Sequence, residues 1–292
     1  MSVAPLHATG RGRRRKTVNR LAEGFSSIAA LAAVAVLGIV VGSVFLKGVS
    51  ALSWDFITKT PVTFGESGGG IANALVGSAL IVLMATLMAV PVGVLVAIYI
   101  TEFAHSSVRR TVRLALDVLN GVPSIVIGIF IFTLLIVGHH QSAVAGSIAL
   151  AVIMLPLIAR STQEVLELVP GHLREASFAL GVSRWRTVLS VVLPTAIGGI
   201  ATGATLAVAR AAGETAPLLF TTSVVPTTVS TDVTQAMASI PLTIFQYAEA
   251  PDPALNNQAW AAAFVLIVFV LIVNIGSRAA LARSRRKLGD TR

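Results

Sequence analysis

The stretch EASFALGVSRWRTVLSVVLP, residues 175–194, is a charged loop and elbow between segments too apolar for anything except a lipid bilayer. Pro170 and Gly171 break the chain just before it, and the segment that reaches Leu180 is too short to cross a membrane. Gly181 predicts a helix stop, and Ser183 can cap the helix that follows. We therefore expect two short helices around a turn, in a long loop between two membrane spans.

The spacing within this stretch resembles a motif typical of the permeases of bacterial ABC importers. That motif is Glu-Ala-Ala, three residues, Gly, nine residues, Ile, any residue and then Leu-Pro. The resemblance implies that the loop docks a separate ATPase, with Glu175, Ala176 and Gly181 as the coupling residues. The alternative is an amphipathic loop that only stabilises its own helix bundle. The matching residues are Glu175, Ala176, Gly181, Leu193 and Pro194, with conservative departures at Ser177 and Val191.

The composition is that of an integral membrane protein. Of the 292 residues, 55% are hydrophobic and only 12% are charged, and the mean hydropathy is +0.84, whereas soluble domains carry about 25% charged residues. The chain has no cysteine, which excludes disulfides, thiolate metal ligands and a cysteine nucleophile.

Six weakly charged stretches reach the length of about 20 residues that a helix needs to cross a bilayer. We therefore predict an all-α integral membrane protein with six transmembrane helices. Residues 27–277 form one permease domain with a coupling loop at 160–187, between basic tails at 1–26 and 278–292. The predicted spans are 28–46, 71–100, 118–137, 143–159, 188–212 and 260–277.

The basic residues predict the orientation. All but three of the 22 lysines and arginines lie in the two tails or in the loops after the second and fourth spans; the exceptions are Lys47, Lys59 and Arg210. Because cytoplasmic loops carry the excess of Lys and Arg, we expect both termini and the 160–187 loop in the cytoplasm. The run RGRRRK at 11–16 is then a membrane anchor signal, and no nucleic-acid partner is expected.

The motifs of several enzyme classes are missing. The chain has neither GxxxxGK[ST] nor HExxH, which argues against a P-loop ATPase and a zincin protease. His139 and His140 are adjacent, so they face different directions on a helix and do not predict a metal site. We expect no enzyme activity, no catalytic residue, no metal and no cofactor, and ATP hydrolysis must come from a partner.

The segment RAAGETAPLL, residues 210–219, places a charge inside the membrane. Arg210 follows Pro194 by about 24 Å of helix, which puts it within the bilayer or towards its outer half. Glu214 lies one turn later on the same face and can pair with Arg210. One hypothesis is a structural ion pair that closes the bundle. The other is a substrate pathway in which the forked guanidinium meets an anion and Glu214 is the alternating partner.

Five segments together resemble the PstA-type permeases of the bacterial phosphate importer. The resemblance implies a type I ABC-importer permease fold in the bacterial cytoplasmic membrane, surrounded by lipid, with Arg210 and Glu214 tied to the passage of inorganic phosphate. It also implies a homologous second permease, two copies of a cytoplasmic ATPase and an extracytoplasmic phosphate-binding protein. The segments are GGGIANALVGSA (68–79), NGVPSIVIG (120–128), LREASFALGVSRW (173–185), ARAAGETAPLLFT (209–221) and NNQAWAAA (256–263).

The expected mechanism is alternating access, in which closure of the ATPase dimer moves the coupling helix and opens the bundle outwards. Residues 222–258 contain no Lys or Arg, which favours a partner-docking surface over a phosphate trap. The alternatives are an importer of another small oxyanion, a secondary transporter or channel, and an intramembrane hydrolase. The sequence shows no internal inverted repeat for a secondary transporter, and no histidine lies convincingly within a span as a hydrolase base.

Overall fold

Helices form the regular secondary structure of the computed structural model, which describes residues 10–62, 68–223 and 228–289 and has no strand among them. Two π-helical turns interrupt the helices: the first π-turn is Tyr99–Phe103 and the second π-turn is Val188–Val192. The helices are α1 (Gly10–Ala51), α2 (Trp54–Thr58), α3 (Ala72–Ile98), α4 (Ser106–Gly121), α5 (Ser124–Leu135), α6 (Ala143–Glu167), α7 (Gly171–Ala179), α8 (Arg184–Thr187), α9 (Leu193–Ala212), α10 (Ala216–Thr221), α11 (Ile240–Glu249) and α12 (Pro253–Gly289).

Five helical segments in the described residues are long and apolar enough to cross a membrane. A sixth crossing exists if α4 and α5, which are bent by 98° at their junction, count as one broken span. The all-α, multi-span prediction is therefore confirmed. The five segments are Arg14–Ala51, Ala72–Phe103, Ala143–Glu167, Arg184–Ala212 and Pro253–Gly276.

The third predicted span, 118–137, is not one straight helix. Its first residues belong to α4, and the chain turns sharply at Val122 and Pro123 before α5 begins. Proline lacks an N–H and forces the preceding residue out of the helical region; Val122 is accordingly extended, with φ −68° and ψ 129°. A prediction based only on the length of the apolar run missed this break.

The first and last spans extend into the predicted tails. Helix α1 begins at Gly10, and α12 continues to Gly289, so the described parts of both tails continue membrane helices. Residues 1–9 and 290–292 of these tails lie outside the described residues.

The core lies where α3 packs along α6, with Ile81, Met154 and Ile158 almost completely buried. Helix α9 also packs on α6, where a Cβ added to Gly199 would lie 2.5 Å from Val165 Cγ1. The small residues of α9 permit this close approach. Helix α1 is mostly exposed and contacts α12, where Phe45 and Phe264 meet edge to face.

Candidate coupling loop and candidate anion pathway

The loop helix α7 is followed by a glycine in a backbone conformation that only glycine adopts easily. Gly181 has φ +75°, and its N–H donates to the carbonyl of Phe178 while Val182 donates to that of Ser177. These two bonds form the Schellman arrangement that satisfies the last carbonyls of a helix. The predicted helix stop at Gly181 is therefore confirmed, and a Cβ there would meet no atom within 4 Å, so the constraint is conformational.

The side of α7 that faces away from the protein is exposed and carries large apolar side chains. Leu180 is 83% exposed and Phe178 is 45% exposed, and Glu175 and Ala176 are also exposed. A short helix that leaves such side chains in solvent is typical of a surface that a partner covers. The predicted coupling residues Glu175, Ala176 and Gly181 thus lie together on an accessible surface.

The buried side of α7 is held to α8 by two hydroxyls. Ser177 Oγ lies 2.8 Å from Thr187 Oγ1, and both side chains are buried. The prediction that the side chain of Ser183 caps the next helix is wrong. Ser183 occupies the N-cap position but makes no capping side-chain hydrogen bond, and its carbonyl instead accepts from the N–H of Thr187.

Sequence reasoning missed the residue that α7 binds in the membrane bundle. Glu102 lies in the first π-turn, and its carboxylate contacts Arg174 of α7 with 2.7 Å between Oε1 and Nη2. In the sequence, Arg174 stands out only as one of the basic residues of the loop after the fourth span. The available signal was an acidic residue at the end of an apolar span, since such a residue requires a partner.

The predicted pair at the end of α9 is formed. Arg210 Nε lies 3.6 Å from Glu214 Oε1, and the Arg210 side chain remains 54% exposed whereas that of Glu214 is 17% exposed. A contact of this length is an ion pair rather than a hydrogen bond. The guanidinium is therefore neutralised from one side and accessible from the other.

The backbone around Glu214 is fixed by tight packing of α10. Gly213 ends α9, and α10 lies against α5, where a Cβ added to Gly128 would be 2.8 Å from Pro217 Cα. Glycine at this position permits the close approach. The two segments NGVPSIVIG and RAAGETAPLL thus pack on each other and position the acid beside Arg210.

The accessible face of α9 continues from Arg210 towards the loop. Leu206, Thr202 and Thr195 are exposed on the same side as Arg210. The hydroxyl groups of Thr195 and Thr202 donate to carbonyls one turn earlier, so they do not require another partner. This face combines one cation and two hydroxyls with the apolar side chain of Leu206, whereas other faces of α9 pack on α6, α3 and α12.

A groove between three of the spans is unsuited to an anion. It has a volume of about 780 Å³ and lies between α3, α9 and α12. Its lining is almost entirely aliphatic or aromatic, with Thr86 and Thr205 as the hydroxyl-bearing residues. An anion entering it would lose its hydration without a compensating charge. Among the described residues there is also no cluster of three or more His, Cys, Asp or Glu side chains that could hold a metal ion.

Comparison with known families and proteins gives consistent matches. Residues 89–287 match the family described as "Binding-protein-dependent transport system inner membrane component". The phosphate transport system permease protein PstA of Xylella fastidiosa strain Temecula1 is 40% identical over 289 residues, covering 98% of this chain and 99% of that protein. The PstA protein of Yersinia pestis is 38% identical over 273 residues, with 93% of this chain and 92% of that protein covered.

A solved structure shares the fold. A chain of the MetNI methionine ABC transporter, in an inward-facing conformation, superposes with a TM-score of 0.57 at 22% sequence identity. The match covers 73% of this chain and 94% of the MetNI chain. At this identity the likeness concerns the fold alone, which is that of a type I ABC-importer permease.

Proposed function

The chain belongs to the family of binding-protein-dependent transport system inner membrane components, and we propose that it is the permease subunit of an ATP-driven importer of inorganic phosphate. The observation that carries the cargo assignment is the accessible Arg210, paired with Glu214 at the end of a membrane span. The chain's relatives over nearly its full length are phosphate permeases.

Arg210 and Glu214 are the proposed residues of the substrate pathway. The planar guanidinium offers paired donors that match the oxygens of phosphate, and more than half of this side chain is accessible. Glu214 balances the charge when no anion is present, which lowers the cost of keeping a cation in the membrane. The exposed hydroxyls of Thr195 and Thr202 would line the continuation of the pathway along α9.

The proposed complex contains subunits that supply what this chain does not. A permease of the ABC-importer family works with a partner permease and ATPase subunits; here we propose a homologous second permease and two copies of a cytoplasmic ATPase. A phosphate-binding protein would dock on the outer side, where residues 228–252 form α11 and the turns that flank it. The chain itself would carry no enzyme activity.

The proposed orientation follows from the basic residues. Both tails and the 160–187 loop would lie in the cytoplasm, since these segments hold most of the lysines and arginines. Arg210 would then lie towards the outer side of the bacterial cytoplasmic membrane. Residues 27–277 would form the permease domain, and the surface around Glu175, Ala176 and Gly181 would receive the ATPase.

Transport would proceed by alternating access. ATP-driven closure of the two ATPase copies would displace α7, and the bundle would open towards the binding protein. Phosphate released from that protein would replace Glu214 as the partner of Arg210, and ATP hydrolysis would reverse the movement. An importer of another small oxyanion is the second candidate, because the guanidinium fork also fits other tetrahedral anions.

Variants of Arg210 test the pathway role. Arg210→Ala should abolish uptake of labelled phosphate by the assembled complex, and Arg210→Lys should stay poor because an ammonium cannot reproduce the bidentate geometry. Arg110→Lys is the matched control, since Arg110 is an exposed arginine of α4, and its uptake should equal that of the unmodified chain.

The double variant Arg210→Gln with Glu214→Gln separates the pathway from a structural ion pair. A purely structural pair would tolerate the double change, since no unpaired charge would remain. Near-normal uptake by the double variant, normalised to the amount of assembled complex, would contradict the pathway role. Continued loss of uptake would support it.

A further inference from the structure

The first π-turn, Tyr99–Phe103, is contacted by arginines from three other helices. We call this turn with Arg109, Arg174 and Arg184 the arginine joint. Arg109 of α4 donates to the carbonyls of Ile100 and Thr101 at 2.7 and 3.1 Å. The guanidinium carbon of Arg184, in α8, lies 5.6 Å from the ring centre of Phe103, within the range of a cation–π interaction.

The third contact is a buried ion pair between the π-turn and the loop helix. Arg174 of α7 donates from Nε and Nη2 to Glu102 Oε1 at 3.1 and 2.7 Å. The exposed fractions of the two side chains are 19% for Arg174 and 7% for Glu102. Separating an ion pair this deeply buried has a high free-energy cost, because it leaves a carboxylate without a partner in a poorly solvated site.

The same guanidinium also binds the end of α6. Its Nη1 donates to the carbonyl of Val169 at 2.7 Å, and its Nη2 donates to that of Leu166 at 3.0 Å. Leu166 lies in the last turn of α6 and Val169 follows it. One side chain of α7 is therefore bonded both to the turn that continues α3 and to the end of α6, the two helices that form the core.

We propose that Glu102 and Arg174 are positioning residues that transmit displacement of α7 to α3 and α6 as one unit. The inference rests on the proposed function, because it requires an ATPase that moves α7. The exposed side of α7 is accessible to the ATPase. The opposite side of α7 is bound to the bundle through Arg174. A movement of α7 must then carry α3 and α6 along or break the buried ion pair. The π-turn favours this role, since such turns frequently occur at functional sites.

The test uses the complete complex in proteoliposomes, with the partner permease, the ATPase and the phosphate-binding protein. In Arg174→Gln and Glu102→Gln, the amount of phosphate imported per ATP hydrolysed should fall about tenfold, the size of effect that a broken coupling contact produces. ATP hydrolysis and the amount of bound ATPase should stay near those of the unmodified complex. Arg160→Gln is the matched control, since it breaks the half-exposed ion pair of Arg160 with Asp117 at 3.0 Å and a long hydrogen bond to Gln163 at 3.5 Å. Neither contact involves α7, so the ratio should not change.

A cross-link supplies a readout that does not depend on the stability of the glutamine variants. The chain has no cysteine, so in the variant Glu102→Cys with Arg174→Cys a short bifunctional thiol reagent can join these two residues without reacting elsewhere in this chain. The amount of phosphate imported per ATP hydrolysed should be low in the unlinked double variant, and the cross-link should restore it. A ratio that stays low after cross-linking, or glutamine variants with an unchanged ratio, would overturn the inference. If the unmodified complex imports another oxyanion, the proposed cargo is wrong, and the same ratio measured with that oxyanion still tests the arginine joint.

Discussion

At the scale of single residues, Gly181 determines where the loop helix α7 stops. Its position after the apolar residues of α7 predicted a helix stop, and its φ of +75° bears this out. The pair of Arg210 with Glu214 was predicted from the helical spacing of four residues, and it forms although Glu214 lies just beyond the end of α9. The contact of Glu102 with Arg174 was not, because the two residues are 72 positions apart and only the packing of α3 against α6 brings them together.

A substitution at Gly181 tests the coupling loop. Gly181→Val should weaken retention of the ATPase subunit by the purified complex, because a β-branched residue in the left-handed region costs about 1–2 kcal/mol or more. Gly171→Val is the matched control, since Gly171 begins α7, the helix that Gly181 terminates, has no positive φ and also has open space around it. Normal ATPase retention together with normal phosphate uptake in Gly181→Val would show that the turn has no coupling role.

The helix elements were predictable where hydrophobic length alone decides them. Five spans appear as expected, and α9 packs against α6 through its small residues. The bend between α4 and α5 escaped the prediction because the apolar run continues through Val122 and Pro123. The two π-turns left no signal in composition, since an extra residue in a helical turn changes which face the later residues occupy and does not change how apolar the span is.

Packing of α9 on α6 gives a prediction at this scale. A Cβ added to Gly203 would lie 2.6 Å from Ser161 Cβ, so Gly203→Val should lower the free energy of unfolding by about 1–3 kcal/mol through overpacking. Gly38→Val in α1 is the control, because nothing lies within 4 Å of a Cβ at Gly38. Thermal unfolding of the detergent-solubilised chain measures the difference. Equal unfolding temperatures for the two variants would contradict the close contact.

At the scale of the whole molecule, the open question is which side of the membrane each loop faces. The basic residues of the sequence predict this orientation, and the helix packing does not test it. Two exposed residues lie on either side of α9 in the sequence: Ser183 just before α8, and Thr231 in the turns between α10 and α11. In intact cells, a membrane-impermeant thiol reagent should label Thr231→Cys and leave Ser183→Cys unlabelled, and the chain has no native cysteine to interfere. Strong labelling at position 183 from outside would reverse the proposed topology.

The most direct test of the central claim is uptake of labelled phosphate by proteoliposomes that contain this chain with its partner permease, the ATPase and the phosphate-binding protein. We expect uptake that requires ATP and the ATPase subunit, that excess unlabelled phosphate suppresses and excess sulfate does not, and that Arg210→Ala abolishes. Uptake that persists without the ATPase, driven by an ion gradient alone, would contradict the claim and favour a secondary transporter. Equal suppression by sulfate would contradict the assignment of phosphate as the cargo.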